Sequence, residues 1–445
     1  MPRPKSLHLP LMLLSIGISI AWGLALGRNI PGGTLDFQNF YYGTKCLMQQ
    51  CDPYNATALE QVYLSESGQR GLESGRLRTI IALFVNLPPV FLFVAPLAML
   101  PWAAANALWL TIIGCGLLLA AYLMRHAGAA FSPGISTLLV CIVLSNSVLL
   151  FELGNAAGIV APFCVIAAWC FLRNRFVPAA IVLFAVSLLI KPHDAGFIWL
   201  YFLLAGGMLR KRSLYSLAIA TLLGVVSIIW LSHVAPHWLQ ELKLNLATIS
   251  AHGGLNEPGA ESQTGREVGM VVSLQAAFSV FRDDPRFYNA ASYLVSGVLL
   301  LVWALKTMRT KLTQRGAWLA LAAVSALSLL PVYHRSYDAK LLLLAVPACA
   351  MLWAERHRQR SFAFVLTLAA IVFTSDIFLA IFVILTNNLH FFTGSFAGQL
   401  ATLLFLRPTP LILLAMGCFY LWVYVRYNPD ESPAVARIDS PVTTT

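Results

Sequence analysis

Apolar runs dominate the pattern along the chain. Each is close to the roughly 20 residues needed to cross a hydrocarbon layer about 30 Å thick, and they follow one another with short polar breaks. They predict twelve membrane-spanning helices, over residues 8–27, 103–124, 134–152, 156–172, 177–190, 195–209, 213–233, 288–307, 316–331, 340–354, 361–385 and 398–423. The first, preceded by Arg3 and Lys5, is read as a retained span, because no small-residue cleavage site follows it.

Residues 80–100 are apolar enough to cross, but Pro88, Pro89, Pro96 and Pro101 interrupt them. Proline removes a helix donor and bends or ends the helix. The basic residues decide the side of every later loop. With 80–100 as an interfacial or re-entrant segment, Arg173/Arg175, Arg210–Arg212, the run Lys306 to Arg315, and Arg356/Arg358/Arg360 share one side with both termini. The positive-inside rule makes that side cytoplasmic.

The predicted organisation follows. Residues 1–27 are a cytoplasmic N-terminus and first span, and 28–102 an extracytoplasmic loop with juxtamembrane or re-entrant helices. Membrane helices fill 103–233, a second extracytoplasmic loop 234–287, and further membrane helices 288–425. A disordered cytoplasmic tail takes 426–445. In the second loop, turns are expected at His252-Gly253-Gly254 and Glu257-Pro258-Gly259.

Composition agrees with this pattern. The 445 residues are 58% hydrophobic and 11% charged, against about 25% charged in soluble domains. The net charge of +11 sits in knots between apolar runs, whereas a nucleic-acid binder clusters its basic residues on one face. No nucleic-acid partner is expected. Six of the eight cysteines fall in apolar runs. Cys46 and Cys51 share the first outer loop, and a bridge or two free thiols fit equally.

Ionisable residues gather at the outer ends of the spans: Asp36, Glu152, Lys191, His193, Asp194, His334, Arg335, Asp338 and Lys340. Charges at membrane depth are costly and point to function, although single Lys or Arg residues also snorkel to headgroups. Asp36 opens the aromatic segment that holds Gln38, Tyr41 and Tyr42; it reads as a general base or as a helix N-cap. Lys191 and His193 end a run without other charge and are placed to meet an anionic group. Tyr333-His334-Arg335-Ser336-Tyr337-Asp338 brings an arginine fork suited to phosphate; its bland alternative is a polar turn. Nucleotide-binding glycine motifs and nucleophile motifs are absent. No His/Cys/carboxylate cluster has metal-ligand spacing. No metal site or required cofactor is expected, with a carboxylate-bound divalent cation left open.

With these features placed, the chain resembles glycosyltransferase family 87, the DUF2029 group of polyprenyl-phosphate-sugar-dependent transferases of the GT-C fold. Four landmarks carry the resemblance over about residues 10–425: Asp36-Phe37 with Tyr41-Tyr42 and Pro53-Tyr54; Pro88-Pro89 with Pro96-Leu97 and Leu100-Pro101; Lys191-Pro192; and His334 with Tyr337-Asp338 after Pro331. The chain departs from the family where Gly154-Asn155-Ala156-Ala157 stands in place of Gly-Gln-x-Asn, and where Leu87 replaces an aromatic before the double proline.

The resemblance implies an all-α GT-C-type membrane enzyme, inverting, that moves a hexose, mannose first, from a polyprenyl-phosphate sugar to a lipid or glycan hydroxyl. Catalysis would take place on the outer side of the cell (inner or plasma) membrane. Asp36 would be the base, and Lys191, His193, His334, Arg335, Tyr337 and Asp338 would bind donor phosphate and sugar. Gln38, Tyr41, Tyr42, Asn86, Pro88, Pro89, Glu152 and Asn155 would line the acceptor or lipid side. Donor, acceptor and membrane lipids would be its partners. The competing readings are a secondary transporter or flippase for a lipid-linked saccharide and a non-catalytic assembly subunit.

Overall fold

A computed structural model describes residues 8–30, 33–67, 80–251, 254, 256–258, 271–355, 359–376, 378 and 395–428. Among them the protein is an all-α, multi-pass membrane protein. Seven helices are long and apolar enough to cross a bilayer: His8–Gly27, Trp102–Ala129, Pro133–Leu153, Gly207–Val234, Pro285–Arg309, Ser336–Ala354 and Thr409–Arg426. Shorter apolar helices occupy Ala157–Arg173, Val177–Ile190, Arg360–Phe373 and Phe396–Leu406.

Every predicted span contains a helix, and four differ from prediction for local reasons. The 195–209 span is instead Pro192–Leu204. Gly206 and Gly207 both take positive φ (79° and 55°) and turn the chain, so the next helix starts at Gly207 and carries Arg210–Arg212 in its first turns. The 134–152 span is broken into Pro133–Ser145 and Val148–Leu153. The 340–354 span begins as a 3-10 helix, Ser336–Ala345, before Val346–Ala354. The 398–423 span is interrupted at Arg407-Pro408, and the crossing helix begins only at Thr409. The second half of 361–385, Arg356/Arg358, much of the 252–270 turn region and the tail beyond 428 lie outside the described residues.

Burial separates centre from periphery. Ala157–Arg173, Gln314–Leu327 and Ser336–Ala354 are buried on nearly all faces, as expected for helices apolar all round. Gly207–Val234 and Pro285–Arg309 present Leu222, Ile229, Leu294 and Leu301 outward, the face that lipid would cover. Helices in lipid gain little from apolar burial against each other and depend on close packing by small residues. Gly23 shows this: a Cβ there would lie 2.5 Å from Phe151 Cβ.

The segment between His8–Gly27 and Trp102–Ala129 is folded where it is described. Leu35–Met48 (α2 below) packs against both Ala56–Ser67 and the nine-residue helix Val90–Ala98. That helix, about 14 Å long at 1.5 Å per residue, reaches about half the hydrocarbon thickness. Phe37 stacks on Trp109 and Trp102, with centroids 4.6 and 5.4 Å apart. Tyr41 donates to the Leu100 carbonyl at 2.8 Å, and Asn86 donates to Asn39 at 3.1 Å. Cys46 and Cys51 are joined as a disulfide.

Candidate functional site

Four chain segments meet at one end of the bundle. The first is the start of α2, where Thr34 takes a left-handed conformation (φ 30°) and its hydroxyl donates to Asn106 at 2.6 Å. Gln38, buried, donates to the Gly33 carbonyl and closes the same turn. Asp36 lies in this first turn, half-buried.

The second segment is the break after Val148–Leu153. Gly154 ends that helix with φ 64°, a conformation that glycine takes without steric cost. A Cβ there would also meet Thr34 at 2.9 Å. Its carbonyl accepts from Trp109 Nε1 at 2.8 Å. Asn155, next in the chain, donates from Nδ2 to Asp36 Oδ2 at 2.6 Å, while its Oδ1 accepts from the Ala157 N–H at 2.8 Å. Burial raises the Asp36 pKa, opposed by the Asn155 hydrogen bond and the charges of Arg335 and Lys191.

Lys191-Pro192-His193-Asp194 forms the third segment, where one apolar helix ends and the next begins. Lys191 bridges two carboxylates: Asp338, and Asp194 at 3.2 Å. It also lies over the Tyr337 ring, 5.2 Å from the centroid. His193 stands at the rim, with its ring 3.5 Å from Asp194. Asp194 is wholly buried.

The fourth segment is Tyr333–Asp338. His334 Nδ1 lies 2.9 Å from the Val332 carbonyl. Its own carbonyl accepts from the Val272 N–H at 2.9 Å, so the chain at Val272 rests on this turn. Arg335 lies over Tyr333, with its Nε donating to the phenol oxygen. Asp338 accepts the Arg335 backbone N–H at 2.8 Å.

The fold therefore brings Asp36, Asn155, Lys191, His193, His334, Arg335, Tyr337 and Asp338 into one neighbourhood. The other expected lining residues lie in or against the segment between the first two crossing helices. Asn86 holds Asn39; Pro88 accepts from Ser227 at 2.5 Å; Pro89 precedes Val90–Ala98. Tyr41 and Tyr42 line a cavity of about 340 Å3 with Lys45, Glu66 and Trp102. Glu152 lies against the first helix at Gly23 and Gly27.

Sequence reasoning noted Asp194 only as one outer charge and gave it no role. It is the residue that Lys191, His193 and His334 all approach, and the Lys191/Asp194 spacing across a helix start was the available signal. Sequence spacing shows no metal-ligand cluster, but the fold brings three candidate ligands together. One ligand atom each from His193, Asp194 and His334 lies within 4.8 Å of the others. Linear spacing hid this because His334 belongs to a different span end, far along the chain.

No protein-family model matches the chain, and neither the curated proteins nor the solved structures contain a match.

Proposed function

We propose that the protein is an inverting glycosyltransferase of GT-C type that takes a hexose, mannose first, from a polyprenyl-phosphate sugar and delivers it to a lipid or glycan hydroxyl outside the cytoplasm. The observation that carries the reading is a half-buried carboxylate, Asp36, held by Asn155 beside the cations Lys191 and Arg335. A proton acceptor and a cationic cradle are the two things that such a transfer needs at one place.

In this reading Asp36 takes the proton of the acceptor hydroxyl. The acceptor oxygen bonds to the anomeric carbon as the bond from that carbon to the phosphate oxygen breaks. Polyprenyl phosphate leaves with its electron pair, and its growing charge meets Lys191 and Arg335 in a site poor in water. A lipid phosphate donor calls for no nucleotide-binding domain. The Cys46–Cys51 disulfide supports an outer location for α2, since such bonds persist on oxidising sides of membranes.

The transporter reading has one observation in its favour. Buried Lys340 and half-buried Asp376 interact as opposite charges, but Lys340 donates to the Asn146 carbonyl and Asp376 accepts from the Leu149 N–H at 3.0 Å. Both thus brace the break in Pro133–Leu153, which favours a structural role. The deciding experiment replaces Asp36 by Asn and supplies labelled polyprenyl-phosphate mannose, glucose and arabinose. Transfer should fall by about 10²–10⁴, the usual contribution of a positioned base, with donor binding kept. Undiminished transfer would remove Asp36 from the reaction.

A further inference from the structure

We propose that His193, Asp194 and His334 form a binding site for one divalent transition-metal ion of the zinc class. The ligand atoms are His193 Nε2, Asp194 Oδ1 and His334 Nε2. Asp194 Oδ1 lies 3.5 Å from the first nitrogen and 3.2 Å from the second. Ligands held about 2.0–2.1 Å from a tetrahedral ion stand about 3.3 Å apart, so both separations suit a shared ion. The two rings meet edge to face, with centroids 5.1 Å apart.

Hydrogen bonding around the site points the same way. His334 Nδ1 faces the Val332 carbonyl at 2.9 Å. A ring N–H donated there leaves Nε2 as a lone pair, the arrangement in which metal-bound histidines are usually held. Asp194 Oδ1 and His334 Nε2 are both buried without a hydrogen bond, and two acceptors facing each other require a cation between them. Asp194 divides its oxygens: Oδ2 pairs with Lys191 and Oδ1 faces the histidines. With neutral rings, the cluster counts Asp36, Asp194 and Asp338 against Lys191 and Arg335, a net negative charge that favours a cation. His193, at the rim with 41% of its side chain exposed, gives the site an entrance.

The competing occupant is a proton on His334. Burial opposes protonation, but the neighbouring charge of Asp194 raises the His334 pKa. A proton satisfies the pair Asp194–His334 and gives His193 nothing to do; an ion uses all three ligands. Two imidazoles with a carboxylate select zinc, iron or manganese over the oxygen-preferring magnesium and calcium. The site stands on these three ligand atoms and not on the transfer reaction. If transfer is also right, the ion lies beside the cations assigned to the donor phosphate.

The test uses the full chain, purified without a histidine tag in detergent, stripped with chelator and titrated with Co²⁺. About one cobalt per chain should bind with visible d–d bands, and zinc should displace it. His193→Ala, at the rim, keeps the buried Asp194–His334 pair and so keeps the fold; it should weaken cobalt affinity about tenfold or more. Asp194→Asn should weaken it at least as much. A folded chain that takes up no cobalt, or whose uptake is unchanged in His193→Ala, overturns the site in favour of a protonated His334. Transfer activity in metal-stripped protein without cobalt uptake would sink this inference and leave the function above standing.

Discussion

Asp36 and Lys191 behave as opposites at the residue scale. Burial raises the Asp36 pKa above its usual 3.8, so the folded chain holds that proton more tightly than the unfolded chain. The resulting stability is fully present below the unfolded value and is lost as pH rises through the raised one. Asp36→Asn imitates the protonated form. Its melting temperature in detergent should equal or exceed that of the parent at neutral pH, with the difference vanishing toward acid, while transfer is lost. Ionised Asp36 is the active base, so the acidic limb of the transfer rate should lie above the pH at which an ordinary aspartate titrates. A limb at or below pH 3.8 would refute the assignment. Lys191 instead holds two buried carboxylates. Lys191→Met leaves Asp194 and Asp338 uncompensated and should cost about 3–5 kcal/mol, read by thermal unfolding. Adding Asp338→Asn should recover part of that loss; no recovery would mean that the lysine acts through packing alone.

Individual elements meet the site through their ends. Gly154 terminates Val148–Leu153 at φ 64° and hands Asn155 to Asp36. Gly154→Ala introduces left-handed strain of roughly 1–2 kcal/mol and a Cβ 2.9 Å from Thr34. The expected result is a lower melting temperature together with a loss of transfer larger than stability alone explains, because the Asn155 hydrogen bond moves. A variant that melts early yet transfers normally would show that Asn155 is dispensable. The broken helices have a common logic: chain breaks inside a membrane survive only where protein satisfies the freed backbone groups. At the break after Ser145, Ser19 donates to the Leu144 carbonyl at 2.6 Å and accepts from the Ser147 N–H at 3.1 Å. Ser19→Ala removes both bonds and should lower stability by about 1–3 kcal/mol, measurable as earlier thermal unfolding.

Topology belongs to the whole molecule. The side on which every loop lies depends on residues 80–100, which contain a helix of only nine residues, Val90–Ala98. Met99, 75% exposed just after it, provides the probe. In a background without other reactive thiols, Met99→Cys should react with a membrane-impermeant maleimide added from outside. Reaction only from the cytoplasmic side would invert every later loop and separate the assigned site from the outer surface.

How much was legible in the sequence depended on whether a signal was local. Hydropathy located the helices because the need to satisfy the backbone in lipid acts on each segment separately. It misplaced the turn at Gly206-Gly207 and the breaks at Asn146 and Arg407-Pro408, where tertiary partners stabilise what hydropathy reads as continuous. Asp36, Lys191, His193, His334 and Arg335 were legible one by one, as charges where charge is expensive.

The sequence by itself determined that this is an α-helical membrane protein with ionisable residues at the ends of its spans, since apolar length and charge are properties of the chain alone. Only the tertiary structure decided that Asn155 holds Asp36, that Lys191 joins Asp194 to Asp338, and that His193, Asp194 and His334 converge. The contacts of Asn155 with Asp36, Lys191 with Asp338 and His334 with Asp194 join residues more than a hundred positions apart, and packing of the intervening helices, which no local pattern encodes, sets the distances between them.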